Sequence, residues 1–152
     1  TGDRLRVGIA VDGSAYGEAA TDYVLAHKDF FGADPDFRVL HVVRDYETLV
    51  ATTSVEYVMP TVTTEEFEKS TAEEFEKTVA PVLERFEKAD VPVQAEKLRG
   101  FPSEAIAKYA KDELDLLVIG SHGYGNFKSA VLGSTAMHIA AECKVPLLVV
   151  RR

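Results

Sequence analysis

A glycine-rich stretch near the end of the chain has the composition of a phosphate-binding loop. It reads GSHGYGNFKSAVLGST over residues 120–135 and follows the apolar segment LDLLVI. Glycine lets a backbone turn with positive φ and approach a ligand closely, so that its amide groups can face an anion. Gly133 and Ser134 then open a predicted helix, whose first N–H groups favour negative charge and where the Ser134 hydroxyl adds a donor. These features predict a ligand that carries phosphate.

A second polar turn follows the first predicted strand. Residues 5–11 read LRVGIAV and end at Asp12-Gly13-Ser14, where Ser14 is a candidate N-cap for the next helix. In open parallel sheets, ligands bind beyond the carboxyl ends of the strands, where the winding direction switches. We therefore expect this turn and residues 120–123 to share one ligand. The simpler alternatives are that Asp12 only caps the helix and that the glycine stretch is only a turn.

The elements that must hold these turns alternate along the chain between strand and helix patterns. Strands are predicted at 5–11, 37–43, 91–99, 114–119 and 147–150. Helices are predicted after Ser14, after a Thr63/Glu66 capping box, after Ser103 as a cap, and near 134–143. Such alternation is typical of an α/β fold with a parallel sheet covered by helices on both faces, here one domain over residues 1–152.

Two segments of this pattern carry further predictions. The helix after Thr63 has an apolar face from Phe67 to Phe86, and Pro81 within it is expected to kink or divide it. Residues 44–63 have no firm period and are expected to form a long excursion with at most a short helix.

Composition narrows the classes of function. The net charge of -8, from 25 acidic and 17 basic residues, disfavours binding to nucleic acid or to anionic lipid. The apolar runs are shorter than the roughly 18 residues that span a bilayer, and no leader pattern opens the chain, so we expect a soluble, cytoplasmic protein. The single cysteine, Cys143, excludes an internal disulfide and a cysteine-built zinc site, which fits a reducing compartment.

Two familiar phosphate motifs do not fit the glycine-rich stretch. Gly120 and Gly125 have Walker A spacing, but Asn126 and Phe127 stand where lysine and a hydroxyl residue belong. The dinucleotide fingerprint begins at Gly123, yet Lys128 occupies the position of its third glycine.

The spacing that does fit is Gly120, two residues, Gly123, nine residues, then Gly133-Ser134. It resembles the nucleotide loop of the universal stress protein family. VGIAVDGS, LHVV at 40–43, Gly100-x-Pro102, VIGSHG and VPLLVVR follow in the family's order, so that the resemblance covers nearly the whole chain. It implies an adenine nucleotide alpha hydrolase-like sheet of order 3-2-1-4-5 and a homodimer that pairs through the last strand.

The resemblance also implies roles for individual residues. Asp12, with Ala10 and Ser14 in the same segment, would lie at the adenosine, the Val42 backbone at the adenine edge, and Gly100 at the ribose. The phosphates would be enclosed by a set of small and polar residues: Gly120, Ser121, His122, Gly123, Gly133, Ser134 and Thr135. Lys128 would add charge or project into water, and Thr135-Ala136 departs from a common form of the family.

Binding is favoured over catalysis. No Ser-His-Asp set, paired carboxylates or oriented general base stands in the loop regions. We expect a nucleotide-responsive regulatory protein of the stress response that binds ATP, ADP or AMP, with Mg²⁺ or Mn²⁺ arriving on the phosphates. The alternatives are a weak ATP hydrolase with His122 as its base, and a dimeric interaction module without nucleotide. His41 is expected to be buried, and His27 and His138 to be packing or surface residues.

Overall fold

Five parallel strands form the sheet. The structure is a computed structural model that describes residues 4–44, 63–122 and 132–151. The strands are β1 (Arg6–Ala10), β2 (Asp36–Val43), β3 (Val93–Arg99), β4 (Leu116–Gly120) and β5 (Leu147–Val150). Their order is β3-β2-β1-β4-β5, with every neighbouring pair parallel. The predicted sheet is thereby confirmed, and its winding direction switches between β1 and β4.

Helices cover both faces of the sheet, as the alternating pattern predicts. In the described residues they are α1 (Ala15–Ala26), α2 (Thr64–Lys88), α3 (Pro102–Glu113) and α4 (Ser134–Glu142), with a short 3₁₀ turn (Lys28–Phe31) after α1. Helices α1 and α2 pack on one face through Val24, Val82 and Phe86, which join Val7 and Val39 of the strands. Helices α3 and α4 pack on the other face through Ile106, Ala110, Ala136 and Ile139, which join Leu40, Leu117 and Ile119.

Helix α2 begins at the predicted capping box and passes through its proline. The Thr63 hydroxyl accepts from the Glu66 amide at 3.1 Å, and the Glu66 carboxylate accepts from the Thr63 amide at 3.4 Å. The expectation that Pro81 divides the helix is wrong, since one helix runs from 64 to 88. Pro81 and Lys77 are both exposed residues, and the Lys77 carbonyl is the one that would otherwise accept from residue 81.

Helix α3 begins one residue earlier than its predicted cap. Phe101 is the N-cap and Pro102 is the first helical residue, so Ser103 lies inside the helix and the prediction that it caps is wrong. Proline suits the first helical position because its missing N–H would have no helical partner there. The predicted excursion at 44–63 lies outside the described residues, except for its first and last positions.

The carboxyl ends of the central strands are extended by single backbone bonds. The Val11 amide donates to the Leu40 carbonyl at 2.9 Å beyond the end of β1, and the Ser121 amide donates to the Val150 carbonyl at 3.0 Å beyond β4. These bonds hold the residues after β1 and β4 at one edge of the sheet, beside the switch point. Across the described residues no helix combines the length and apolar character that spanning a bilayer requires.

Candidate functional site

A cleft lies at the carboxyl ends of β1, β2 and β4, between the beginnings of α3 and α4. Its volume is about 150 Å³, which is that of a cavity able to hold a single planar ring. Its walls are mostly apolar and include a few polar side chains. The residues that line it are Ala10, Val11, Asp12, Gly17, His41, Val42, Pro102, Ile106, Ile119, Gly120, His122, Thr135, Ala136 and Ile139. This position, at the topological switch point, is where open α/β sheets bind ligands.

Six of the twelve residues proposed from the sequence meet in this cleft. They are Ala10, Asp12, Val42, Gly120, His122 and Thr135. Five others lie outside its lining: Ser14, Gly100, Ser121, Gly133 and Ser134. Gly123 and the nearby Lys128 lie outside the described residues. Sequence reasoning did not find the apolar wall from Ile106, Ala136 and Ile139, although their helical spacing marks them as a buried face.

The turn after β1 is built by Asp12. Its Oδ1 accepts from the Ser14 amide at 2.9 Å, a bond of the Asx-turn type. Ser14 occupies the N-cap position of α1 as predicted, but its hydroxyl makes no capping bond. That hydroxyl is buried, in a residue that is 5% exposed, and it has no hydrogen-bond partner among the residues that the structure describes. Asp12 thus shapes the start of α1, and it is also an exposed residue that lines the cleft.

Gly120 is required by packing against α1. A Cβ added to it would lie 2.8 Å from the Tyr16 Cβ and carbonyl oxygen and 2.9 Å from the Tyr16 carbonyl carbon. These are backbone or backbone-attached atoms that cannot swing away. The absence of a side chain at position 120 thus lets the first turn of α1 touch the end of β4, and the same close approach shapes one wall of the cleft.

The beginning of α4 is tied back to the end of β4. The Gly133 amide donates to the Ser121 carbonyl at 2.7 Å, so this nitrogen is engaged within the protein. This differs from the expectation that the Gly133 nitrogen faces a phosphate. Gly133 is the N-cap of α4, and the first helical bond runs from the Met137 amide to the Gly133 carbonyl. By helix geometry, the amides of residues 134–136 lack helical partners and make this a terminus that favours anions.

His122 stands at the rim between these two elements. Its Nδ1 lies 3.0 Å from the Ser121 hydroxyl oxygen, and its ring centroid is 5.2 Å from that of Tyr16. Ser121 is buried, so the hydroxyl fixes one side of the imidazole. His122 is thereby held beside Gly120 at the mouth of the cleft, where a donor could reach a ligand's polar end.

The ends of β2 and β3 complete the site. Val42 lies in β2 with its side chain packed against the apolar cluster beneath α3 and α4. Gly100 has φ of +114°, a conformation that favours glycine, and its amide donates to the Val43 carbonyl at 3.1 Å. His41 is 7% exposed, which confirms the expected burial, yet it also lines the cleft. His27 and His138 are exposed surface residues, as expected.

A separate polar cluster lies at the opposite, amino ends of the strands. The Arg6 guanidinium and backbone amide both donate to Asp115, which lowers the pKa of that carboxyl below its ordinary value. Arg38 pairs with Asp36 at 2.9 Å and donates to the Tyr109 hydroxyl at 3.0 Å. Burial raises the pKa of Tyr109. These contacts join the start of β1 to the segment before β4 and the start of β2 to α3, at the opposite end of the strands from the cleft, so we interpret them as structural.

The described residues contain no group of three or more histidine, cysteine or carboxylate side chains arranged to hold a metal ion. Within that part of the chain, the site is therefore defined by backbone amides, a carboxylate and two imidazoles around an apolar hollow.

The sequence as a whole matches one family. The profile of the Universal stress protein family aligns with residues 4–151. The chain belongs to that family. A relative over similar length is the universal stress protein YxiE of Bacillus subtilis, 30% identical over 150 residues that make up 94% of this chain and 96% of YxiE.

Other members of the family are matched over part of their length. The alignment covers 23% of the Synechocystis protein Slr1230, 33% of MJ0577 of Methanocaldococcus jannaschii and 46% of a universal stress protein of Mycolicibacterium smegmatis. The last is 31% identical over 148 residues, which are 97% of this chain.

Solved structures of universal stress proteins share the fold. The structure of MJ0577 superposes with a TM-score of 0.76 at 27% identity, over 97% of this chain and 96% of that one. A family protein of Arabidopsis thaliana with AMP bound has a TM-score of 0.61 at 17% identity, over 97% and 92% of the two chains. A universal stress protein of Archaeoglobus fulgidus in complex with dAMP has a TM-score of 0.60 at 17% identity, over 96% of each chain.

Proposed function

We propose that this universal stress protein binds an adenine nucleotide in the cleft at the switch point, with ATP as its ligand and a regulatory role in the stress response. The observation that carries the proposal is the cleft itself, a mostly apolar slot of about 150 Å³ with a few polar side chains in its lining. Its size and apolar walls suit a base, and a base is flat and largely apolar on its faces. Relatives of the same fold bind AMP and dAMP.

The two ends of the cleft suit the two ends of a nucleotide. The Asp12 carboxylate at the end of β1 accepts hydrogen bonds, as ribose hydroxyls would require. The beginning of α4 presents three amides that lack helical partners, beside Thr135. Since a helix N-terminus favours negative charge, we place the phosphates there. His122 lies between the two ends and adds a donor when its ring is suitably protonated.

The unpartnered Ser14 hydroxyl also fits a polar ligand. A buried hydroxyl without a partner costs about 1–3 kcal/mol, and it lies two residues from Asp12. A ligand hydroxyl or phosphate that reached this turn would recover that cost. We assign Ser14 to the site on this ground, with Gly123 and Gly100 assigned by the family resemblance.

A cavity-filling substitution tests the proposal. Ala10 lines the cleft, so Ala10→Leu would put a branched side chain where the base is expected. Ala140→Leu is the matched control, because Ala140 is an exposed residue of α4 that does not line the cleft. We expect isothermal titration with ATP and AMP to show an affinity at least tenfold lower for Ala10→Leu and an unchanged affinity for the control. Equal affinities in all three proteins would refute binding in this cleft.

Two measurements on the purified protein identify the bound nucleotide and test whether ATP is hydrolysed. We expect ATP to bind more tightly with Mg²⁺ than with a chelator, because the protein is acidic and the metal would arrive on the phosphates. Mass spectrometry of nucleotide released from purified protein identifies the resident ligand. Turnover of ATP to ADP that is abolished by His122→Ala would show a hydrolase instead of a binding protein.

We further propose that the protein is a cytoplasmic homodimer that pairs through β5. The two edge strands differ, since β3 carries Glu96, Lys97 and Arg99 whereas β5 reads LLVV without a charge. Uncharged edge strands invite pairing, and charges on an edge oppose it. The carbonyls of Pro146 and Val150 accept from the amides of Leu117 in β4 and of Ser121 just after it. In a parallel ladder this alternation turns the backbone groups of Leu147 and Val149 outward, toward a partner strand.

Proline at an outward position tests the dimer. Val149→Pro would remove an outward N–H while leaving the bonds between β4 and β5 in place. We expect light scattering to report a dimer for the parent protein and a monomer for the variant, with unchanged circular dichroism. A parent protein that is monomeric at high concentration would disprove this pairing.

A further inference from the structure

His41 bridges the cleft to a helix that does not line it. The residue lies near the carboxyl end of β2, is 7% exposed and lines the cleft. Its Nδ1 is 2.9 Å from the Val11 carbonyl oxygen of the segment after β1, and its Nε2 is 2.8 Å from Oε2 of Glu74 in α2. The neighbouring Phe75 ring of α2 lies along the imidazole, with centroids 6.4 Å apart.

Both partners of this imidazole are hydrogen-bond acceptors. A carbonyl and a carboxylate donate nothing, whereas a neutral imidazole has one N–H group. A neutral ring would therefore turn a lone pair toward either Val11 or Glu74. Both contacts are satisfied when Nδ1–H points at Val11 and a further proton lies between Nε2 and the Glu74 carboxylate oxygen 2.8 Å away. The ring is thus fixed in orientation from the α2 side, with Nδ1–H directed at Val11.

We propose that His41 is a positioning residue of the nucleotide site. Its Nδ1–H holds the Val11 carbonyl, and the peptide after that carbonyl leads directly into Asp12, whose carboxylate lines the cleft. Through the proton between its carboxylate and Nε2, Glu74 keeps the other ring nitrogen protonated toward Val11. Nucleotide affinity therefore depends on an α2 side chain that is 54% exposed and lies outside the cleft lining. This inference rests on the proposed nucleotide site.

The direction of the change in nucleotide affinity distinguishes the positioning role of Glu74 from a general effect of its negative charge. Removing a glutamate from an acidic protein should strengthen the binding of an anion slightly. The bridge predicts the opposite for Glu74→Ala, because the ring is then free to take its Nε2–H form and to release Val11. Glu73 and Glu76 are exposed residues of the same helix, so Glu73→Ala and Glu76→Ala are matched controls for the lost charge.

The decisive experiment measures ATP and AMP affinity by titration for the parent protein and this set. We expect Glu74→Ala to weaken both nucleotides about fivefold to tenfold, the effect of one lost hydrogen bond. Glu74→Gln should restore affinity, because its amide can donate to Nε2 and keep Nδ1–H on Val11. His41→Asn should retain affinity because its amide lies near the Nδ1 position, whereas His41→Leu should lose it. Thermal denaturation shows that each variant is folded.

Nitrogen chemical shifts of the His41 ring provide a readout that needs no nucleotide. At neutral pH we expect a protonated Nδ1 in the parent protein and in Glu74→Gln, and a neutral ring protonated on Nε2 in Glu74→Ala. An unprotonated Nδ1 in the parent protein would overturn the bridge. A Glu74→Ala affinity equal to that of Glu73→Ala would overturn the positioning role alone. A parent protein that binds no adenine nucleotide would instead sink the proposed function.

Discussion

Replacing Gly120 by alanine would press a methyl group against the backbone of α1. The added Cβ would meet the Tyr16 Cβ and carbonyl oxygen at 2.8 Å, closer than such atoms approach in folded proteins. Overpacking of a core costs about 1–3 kcal/mol, and the cost should lie toward the upper end because the contacted atoms are backbone. For a domain of this size, each kcal/mol lowers Tm by about 2–4 °C. We therefore expect Gly120→Ala to lower Tm by about 4–12 °C.

The assay is thermal unfolding without nucleotide, followed by ATP titration well below Tm. Tyr16→Ala is the partner variant, since it keeps the Cβ, carbonyl carbon and carbonyl oxygen that make the contact. The double variant should show no rescue, with a coupling energy within about 0.5 kcal/mol of zero. An unchanged Tm together with lost ATP binding would refute the packing argument and would assign this glycine to the nucleotide alone.

Three further substitutions test the energetics of the fold. Asp115→Asn removes a carboxylate whose pKa is lowered by Arg6, so its stabilisation is present above the ordinary value near 3.8 and is lost as pH falls through the lowered value. The Tm gap between parent and variant should therefore close as a Tm series is carried from neutral pH into acid, and a constant gap would contradict it. Thr63→Ala should lower the free energy of unfolding, measured in urea, by about 1 kcal/mol because the N-cap of α2 is lost. An unchanged free energy of unfolding would mean that the first turn of α2 frays in solution. Phe86→Ala, at 0% exposure, should cost about 3–5 kcal/mol in the same assay, while Phe30→Ala, at 78% exposure, should cost little; similar losses would disprove this account of the core.

The pattern of the sequence was sufficient to predict the strands and most helix positions, whereas the strand order was predicted from the family resemblance. Strands β4 and β5 were predicted from apolar runs, and α2 was predicted from a capping box that the structure contains. The two errors were local. Pro81 was expected to kink or divide α2, but the helix is continuous from 64 to 88. Ser103 was expected to cap α3, although the preceding Pro102 already fits the first turn.

The candidate site was predicted less completely than the fold. Asp12, Gly120, His122 and Thr135 were proposed from motif spacing, and they do line one cleft. From the same spacing, Gly120 and Gly133 were predicted to expose their backbone amides to a phosphate. In the structure one glycine makes room for Tyr16, and the other donates its amide to Ser121. A glycine's spacing does not reveal which of these uses it serves.

By itself, the sequence determined the periodicity of each element, the order of strands and helices, and the membership of the family. The periodicity and the order follow from local patterns, because the spacing of apolar side chains decides which face of a strand or helix is buried. The family follows from the resemblance of the motifs. Only the tertiary structure decided that His41 meets Glu74, 33 residues along the chain, and that α1 closes on the end of β4. Such contacts depend on how elements that are far apart in the sequence pack together, and no single segment of the sequence specifies that packing.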